Sequence, residues 1–130
     1  MAFHRRGRRG IAVVELAVTL PLFLLLFAGV VNMCQIMFLK DVATLASYES
    51  GRLAARRGVT AADVRLRCQT LLTERGVQTS SITISPGDIT NLPSGAPITI
   101  GVTASLKKNV ATLLLPSDVT ITGNVKVLRE

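Results

Sequence analysis

The residues whose types and spacing could do chemistry lie close to the N-terminus. In Arg8-Arg9-Gly10-Ile11-Ala12-Val13-Val14-Glu15, a glycine closes a short basic segment and a glutamate stands in an otherwise apolar run. A carboxylate placed in hydrocarbon costs about 2.5–3.5 kcal/mol on insertion scales, so Glu15 needs a partner or a role. Scission after Gly10 would supply two partners. One is the α-amino group of Ile11, cationic below its pKa of about 8. The other is the set of free amides at a helix N-terminus, whose dipole favours an anion. Between chains packed side by side, Glu15 of one would meet the Ile11 amine of the next. Every wrong register would then leave a charge unpaired in an apolar medium, so the charge would act as an alignment device.

Little else offers reactivity. The single histidine, His4, belongs to the basic segment. No metal-ligand spacing, nucleophile elbow or phosphate-cradling glycine loop follows it. Asp63, Glu74, Asp88 and Asp118 fall beside turns and helix ends, where carboxylates serve as caps. The reading is of a non-enzyme with no catalytic residue, cofactor, metal or small-molecule substrate. The net charge of +7, from 15 basic and 8 acidic residues, owes much to Arg5, Arg6, Arg8 and Arg9. Without residues 1–10 it drops to +3, and no basic stripe interleaved with aromatics remains for a nucleic acid. Cys34 and Cys68 could form a disulfide in an oxidising exterior. If the helices fold back near Val59, however, the two lie about 24 Å apart along the axis, beyond the roughly 4.4–6.8 Å a disulfide allows. Buried free thiols are expected, with an intermolecular Cys68 bridge as the sharper alternative.

These residues must be positioned by a long apolar element. From Ile11 to Leu39 only Glu15, Thr19, Asn32 and Gln35 interrupt the apolar run. As a helix, Leu16–Leu39 covers about 36 Å, enough to cross a hydrocarbon core of about 30 Å with some tilt. It is too long for the core of a cleaved secretory signal, and no small-x-small site follows it. Arginines before it and Lys40-Asp41 after it orient the N-terminus toward the cytoplasm. Pro21 predicts a kink or a local gap in the hydrogen-bond ladder.

The helical pattern then turns amphipathic, with Leu39, Val42, Leu45, Ala46 and Leu53 on the apolar face. Ala43, Ser47, Ser50, Gly51 and Ala54 gather along one side, where another helix could approach or the chain could pack on itself. Gly58 is expected to end this helix. Thr60-Ala-Ala-Asp63 reads as a capping box opening a second helix through about Arg75, stopped by Gly76, with Val64, Cys68, Leu71 and Leu72 apolar. From Ser81 the period becomes two: Ile82 and Ile84, then Ile98 to Leu106, then Val119 to Val127, separated by turn residues around Pro86-Gly87 and 91–97. The expected fold is α+β: a long N-terminal transmembrane helix continuing into an amphipathic helix, a second helix, and a small, mainly antiparallel sheet of three to four strands. The expected divisions are a basic leader at 1–10, a transmembrane helix at 11–39 and an extracytoplasmic domain at 40–130.

Gly10 and Glu15 in this setting resemble the leader of type IV prepilins and pseudopilins, which a membrane aspartyl peptidase cuts after the glycine and methylates at the new N-terminus. More narrowly, three blocks look like the TadE-like pseudopilins of tight-adherence (Flp) pilus systems: Arg9 to Leu16, Leu20-Pro21 to Leu26, and Ser50-Gly51-Arg52-Leu53-Ala54-Ala55. Leu113-Leu114-Leu115-Pro116 and the closing Val127-Leu128-Arg129-Glu130 are similar to that family's ending. Leu16 stands where the family commonly has Phe. The resemblance implies a minor pseudopilin or pilus-assembly subunit, processed between Gly10 and Ile11, with Glu15 setting assembly register. Its implied partners are a prepilin peptidase, other pilin or pseudopilin subunits through helix packing, and an inner-membrane assembly platform. It implies a bacterial cytoplasmic membrane location, with the C-terminal domain periplasmic or extracellular. A pseudopilin of a type II secretion system shares the same peptidase logic, and an unprocessed membrane-anchored binding domain would instead retain Met1 to Arg9.

Overall fold

The computed structural model describes residues 6–110 and 119–130. Its first element, α1, is a single helix over Arg6–Ala54, 49 residues running through Pro21 without interruption. At about 1.5 Å per residue it is about 74 Å long. The second helix, α2 (Ala61–Glu74), opens with the expected capping box. Thr60 Oγ1 accepts from the Asp63 amide while the Asp63 carboxylate accepts from the Thr60 amide. The Thr60 hydroxyl, which also donates to Asp63 Oδ2 at 2.7 Å, and then the Thr60 amide hold the Asp63 carboxyl below its ordinary range. At the other end the Gly76 amide bonds to Thr73 O and the Val77 amide to Leu72 O, with Gly76 at φ +69°. This is the paired closure that needs a left-handed residue just past the helix.

Three strands follow: β1 (Thr79–Ser85), β2 (Pro97–Ser105) and, after the single turn α3 (Leu106–Asn109), β3 (Thr120–Leu128). They form an antiparallel meander in the order β1-β2-β3, with Ile82 opposite Val102 and Ile100 opposite Val125. In the loop between β1 and β2 the Thr90 amide donates to Asp88 Oδ1, which lowers the Asp88 carboxyl pKa. The α+β expectation is met with three strands. Leu106, expected to finish the second strand, instead starts α3, where its side chain is buried. Asp118 and the Leu113-to-Pro116 motif lie outside the described residues.

One face of the sheet packs on α1 and α2, giving two clusters. Ala54, Val64, Ile89, Ile98 and Ile100 form the cluster far from the apolar end of α1. Leu39, Val42, Ala46, Cys68, Leu72, Val102 and Leu106 belong to the near one. The small residues of α1 serve this packing of sheet and α2 within the chain. Ala43, Ser47, Ser50 and Ala54 are fully buried. A Cβ on Gly51 would lie 2.9 Å from Val125 Cγ1, and one on Gly123 would lie 2.7 Å from the Ala43 carbonyl carbon. Leu45, expected on the packed face, points outward and is 41% exposed. The reason is angular: Val42, Ala43 and Ala46 already occupy the arc that meets the sheet.

The long helix ends at Ala54 rather than reaching Gly58, because the C-terminal residues satisfy its last carbonyls. Arg129 Nη1 donates to Ala54 O at 2.9 Å, and the Glu130 amide donates to Ala55 O at 3.0 Å. Arg129 is itself buried. A cation at the negative end of a helix dipole is favourable placement.

Candidate assembly helix and processing segment

Along α1, every residue from Gly10 to Phe27 is exposed, and packing against the rest of the chain begins at Asn32 and Leu39. Ile11 is 69% and Phe23 72% exposed. The helix is long and apolar enough to cross a membrane, and none of its most apolar stretch is buried in the chain. An apolar surface of that extent demands hydrocarbon or the helices of other chains. The 22 residues from Gly10 to Val31 span about 33 Å, close to the thickness of a hydrocarbon core.

The three expected site residues sit at the start of this stretch. Gly10, Ile11 and Glu15 share one helix face with Val14, Val18 and Thr19, forming a shallow apolar groove. The spacing 11, 15, 18 is what places them together. Thr19 Oγ1 donates to the Glu15 backbone carbonyl at 2.7 Å, so the threonine hydroxyl is satisfied locally and leaves the carboxylate free to face outward. Arg6 to Gly10, within the expected leader at 1–10, are helical and continuous with the apolar run. Gly10 has nothing within 4 Å of where a Cβ would stand. Packing inside the chain therefore gives no reason for glycine at this position, while a glycine inside a helix weakens it by about 1 kcal/mol relative to alanine.

The cysteines divide. Cys68 is buried and free, as expected, and burial, opposed by a Ser50 hydrogen bond, raises its thiol pKa. An intermolecular Cys68 bridge is thereby overturned, since the sulfur faces the core between α1 and α2. Cys34 is free but exposed, against the expectation of burial. It lies on α1 at the rim of a cavity that the helix forms with the ends of α2 and α3.

The sequence reading missed Arg129 as the residue that ties the end of α1 to the sheet. It also missed the inward face of Asn32, whose side chain is 6% exposed. The signal for the latter was present: a lone amide in an apolar run is costly unless something covers it.

Residues 10–52 match the family model for TadE-like protein. No curated protein and no solved structure matches the chain. The matched span begins at Gly10, takes in Glu15 and the whole exposed stretch, and ends within the part of α1 that carries the sheet. Over residues 10–52, about a third of its length, the chain is similar to TadE-like protein.

Proposed function

We propose that the chain is a minor pseudopilin or assembly subunit of a Tad pilus machine, inserted through α1 in a bacterial cytoplasmic membrane with its N-terminus cytoplasmic. A prepilin peptidase cuts between Gly10 and Ile11, and the mature helix packs against other pilin-like helices and the membrane assembly platform. The observation that carries this reading is the exposed apolar face of α1, which bears one acidic residue, Glu15, one helical turn beyond Ile11. Gly10 fits the processing step physically. Open space around it and a weakened helix let the chain unwind locally into a protease cleft. Glu15 fits the assembly step, because a carboxylate one turn from a new amine selects a single axial offset between neighbouring helices. In this role the chain is the substrate of an enzyme, with adhesion and secretion as properties of the assembly it joins.

Mass spectrometry of the N-terminus from the native host tests the first step: the mature chain should begin at Ile11. An intact leader in the presence of the peptidase would leave the anchored binding domain as the surviving reading. A Glu15→Ala variant tests the second step. Cleavage should persist while incorporation into the assembly falls, and normal incorporation would remove the register argument. The family match over residues 10–52 favours the Tad machine over a type II secretion system.

A further inference from the structure

The two core clusters give the domain a direction. Both α2 and β2 run from Ala54 toward Leu39: Val64 and Ile98 belong with Ala54, whereas Leu72, Val77, Leu106 and Val110 belong with Leu39. The end of α2 and the whole of α3 therefore reach the level at which α1 emerges from its unpacked apolar stretch. There a cavity of about 250 Å³ opens between Gln35 and Phe38 of α1, Gly76 and Val77 after α2, and Asn109 and Val110 at the end of α3.

Three features of this corner point to one kind of ligand. Lys107 and Lys108 are both exposed and lie immediately before the cavity residues Asn109 and Val110. Their turn is anchored: Asn109 Nδ2 donates to Gln78 O at 2.7 Å and to Ser105 O at 2.9 Å, and Asn109 Oδ1 accepts from the Gln78 amide. Arg75 and Glu74, both exposed at the end of α2, offset each other, so among the described residues of this corner the two lysines set the sign. Second, Gln35 Oε1 and Asn32 Nδ2 are buried and have no hydrogen-bond partner among the described residues. Buried polar atoms are rarely left so, and each such group marks a place where a ligand or water is expected. Third, Phe38 is half exposed on the wall of the same cavity, one turn above the apolar stretch. Fixed cations, unsatisfied amide groups and an aromatic side chain at a membrane boundary match the layered chemistry of a phospholipid, with phosphodiester, ester and acyl chain in sequence.

We propose that this corner is a binding site for the headgroup of an anionic phospholipid in the leaflet on which the domain rests. Lys107 and Lys108 pair with the phosphodiester. Gln35, on the cavity wall, meets the polar groups of the glycerol region, with the buried Asn32 amide one turn before it on α1, and Phe38 lies against the upper acyl chain. The proposal rests on the reading that α1 spans the membrane, and it holds in whichever direction α1 is inserted.

The test uses the full chain reconstituted in phosphatidylcholine vesicles containing a minority of phosphatidylglycerol, with spin-labelled lipids reporting the selectivity of the protein's immediate shell. Phosphatidylglycerol should be preferred over phosphatidylcholine by roughly fivefold per engaged lysine at low salt. The preference should fade as salt shortens the screening length to about 3 Å at 1 M. The paired variant K107Q/K108Q should bring the selectivity to near one with unchanged helicity, while R52Q/R56Q at the far end of α1 should leave it intact. Q35L should lower it in part. Equal selectivity for both lipids in the unaltered chain, or the same loss in R52Q/R56Q as in K107Q/K108Q, would overturn the site. Flotation separates the two claims: a chain that fails to float with phosphatidylcholine vesicles refutes the spanning reading, and one that floats without lipid preference refutes this proposal alone.

Discussion

Replacing Gly123 with alanine puts a methyl group where the backbone of α1 already lies. The new Cβ would stand 2.7 Å from the Ala43 carbonyl carbon, and 2.8 Å from both the Ala43 oxygen and the Thr44 nitrogen. Ordinary contact begins near 3.4 Å, so the sheet and helix must part by 0.7 Å, the difference between 3.4 and 2.7 Å. No side-chain rotation relieves this, since all three atoms are backbone. Overpacking of this kind costs about 1–3 kcal/mol, and the reduced freedom of the unfolded chain returns about 0.4–1 kcal/mol. A net loss of about 1–2 kcal/mol should lower Tm by about 4–16 °C for a domain of this size. Because α1 stays helical in a micelle, loss of helicity is a poor reporter. Thermal exposure of the buried Cys68, counted by mass as the second alkylated thiol, follows the domain itself. Gly101→Ala is the matched comparison. Its Cβ would meet Thr83 Oγ1 at 2.6 Å and Asn124 Oδ1 at 2.8 Å, both tips of side chains that can turn away. It should cost less than half as much. A Gly123→Ala midpoint within about 2 °C of the unaltered chain, or a larger loss at Gly101, would refute the claim that backbone contact at Gly123 sets the seat of α1 on the sheet.

Arg129→Ala removes the bond to Ala54 O and leaves that carbonyl buried, so urea unfolding should show a loss of about 1–3 kcal/mol; unchanged stability would mean that the helix end is satisfied otherwise. Thr60→Ala deletes the cap of α2 and should cost about 1 kcal/mol in the same assay. The pH dependence of that cap follows from Asp63, whose folded pKa is depressed: its contribution is present above the unfolded value of about 3.9 and is lost as pH falls through the folded value. Asp63→Asn should therefore differ from the unaltered chain at neutral pH and converge with it in acid, which thermal melts at both pH values will check. Maleimide at neutral pH should modify Cys34 and spare Cys68 until the domain unfolds, and any disulfide-linked dimer on a non-reducing gel should disappear with Cys34→Ser and survive Cys68→Ser.

Much of this molecule was legible in order along the chain because the governing forces act between near neighbours. The capping box at Thr60 and Asp63, the stop at Gly76 and the alternation of Ile82, Ile98 and Ile100 each depend on residues within a few positions. The exposed apolar stretch and its solitary Glu15 were equally plain, since length and hydropathy need no partner to be recognised. Positions set by register across the fold were harder to read. Leu45 and Val42 look alike in an amphipathic pattern, yet only the angle at which the sheet meets α1 buries one and exposes the other. Arg129 reads as a charged C-terminal residue until the meander returns it to Ala54, 75 positions away.

By itself the sequence determined an N-terminal apolar helix, a weak glycine before it, a carboxylate one turn inside it, and an α+β domain behind it. Tertiary structure alone decided that the small residues of α1 seat its own sheet, that Cys68 is sealed while Cys34 is not, and that Asn109 and Val110, which follow Lys107 and Lys108 in sequence, line one cavity with Gln35. The physical reason is one of range. Hydropathy and capping are summed over adjacent residues, whereas the meeting of α3 with α1 depends on the direction in which β2 runs, which no local pattern encodes.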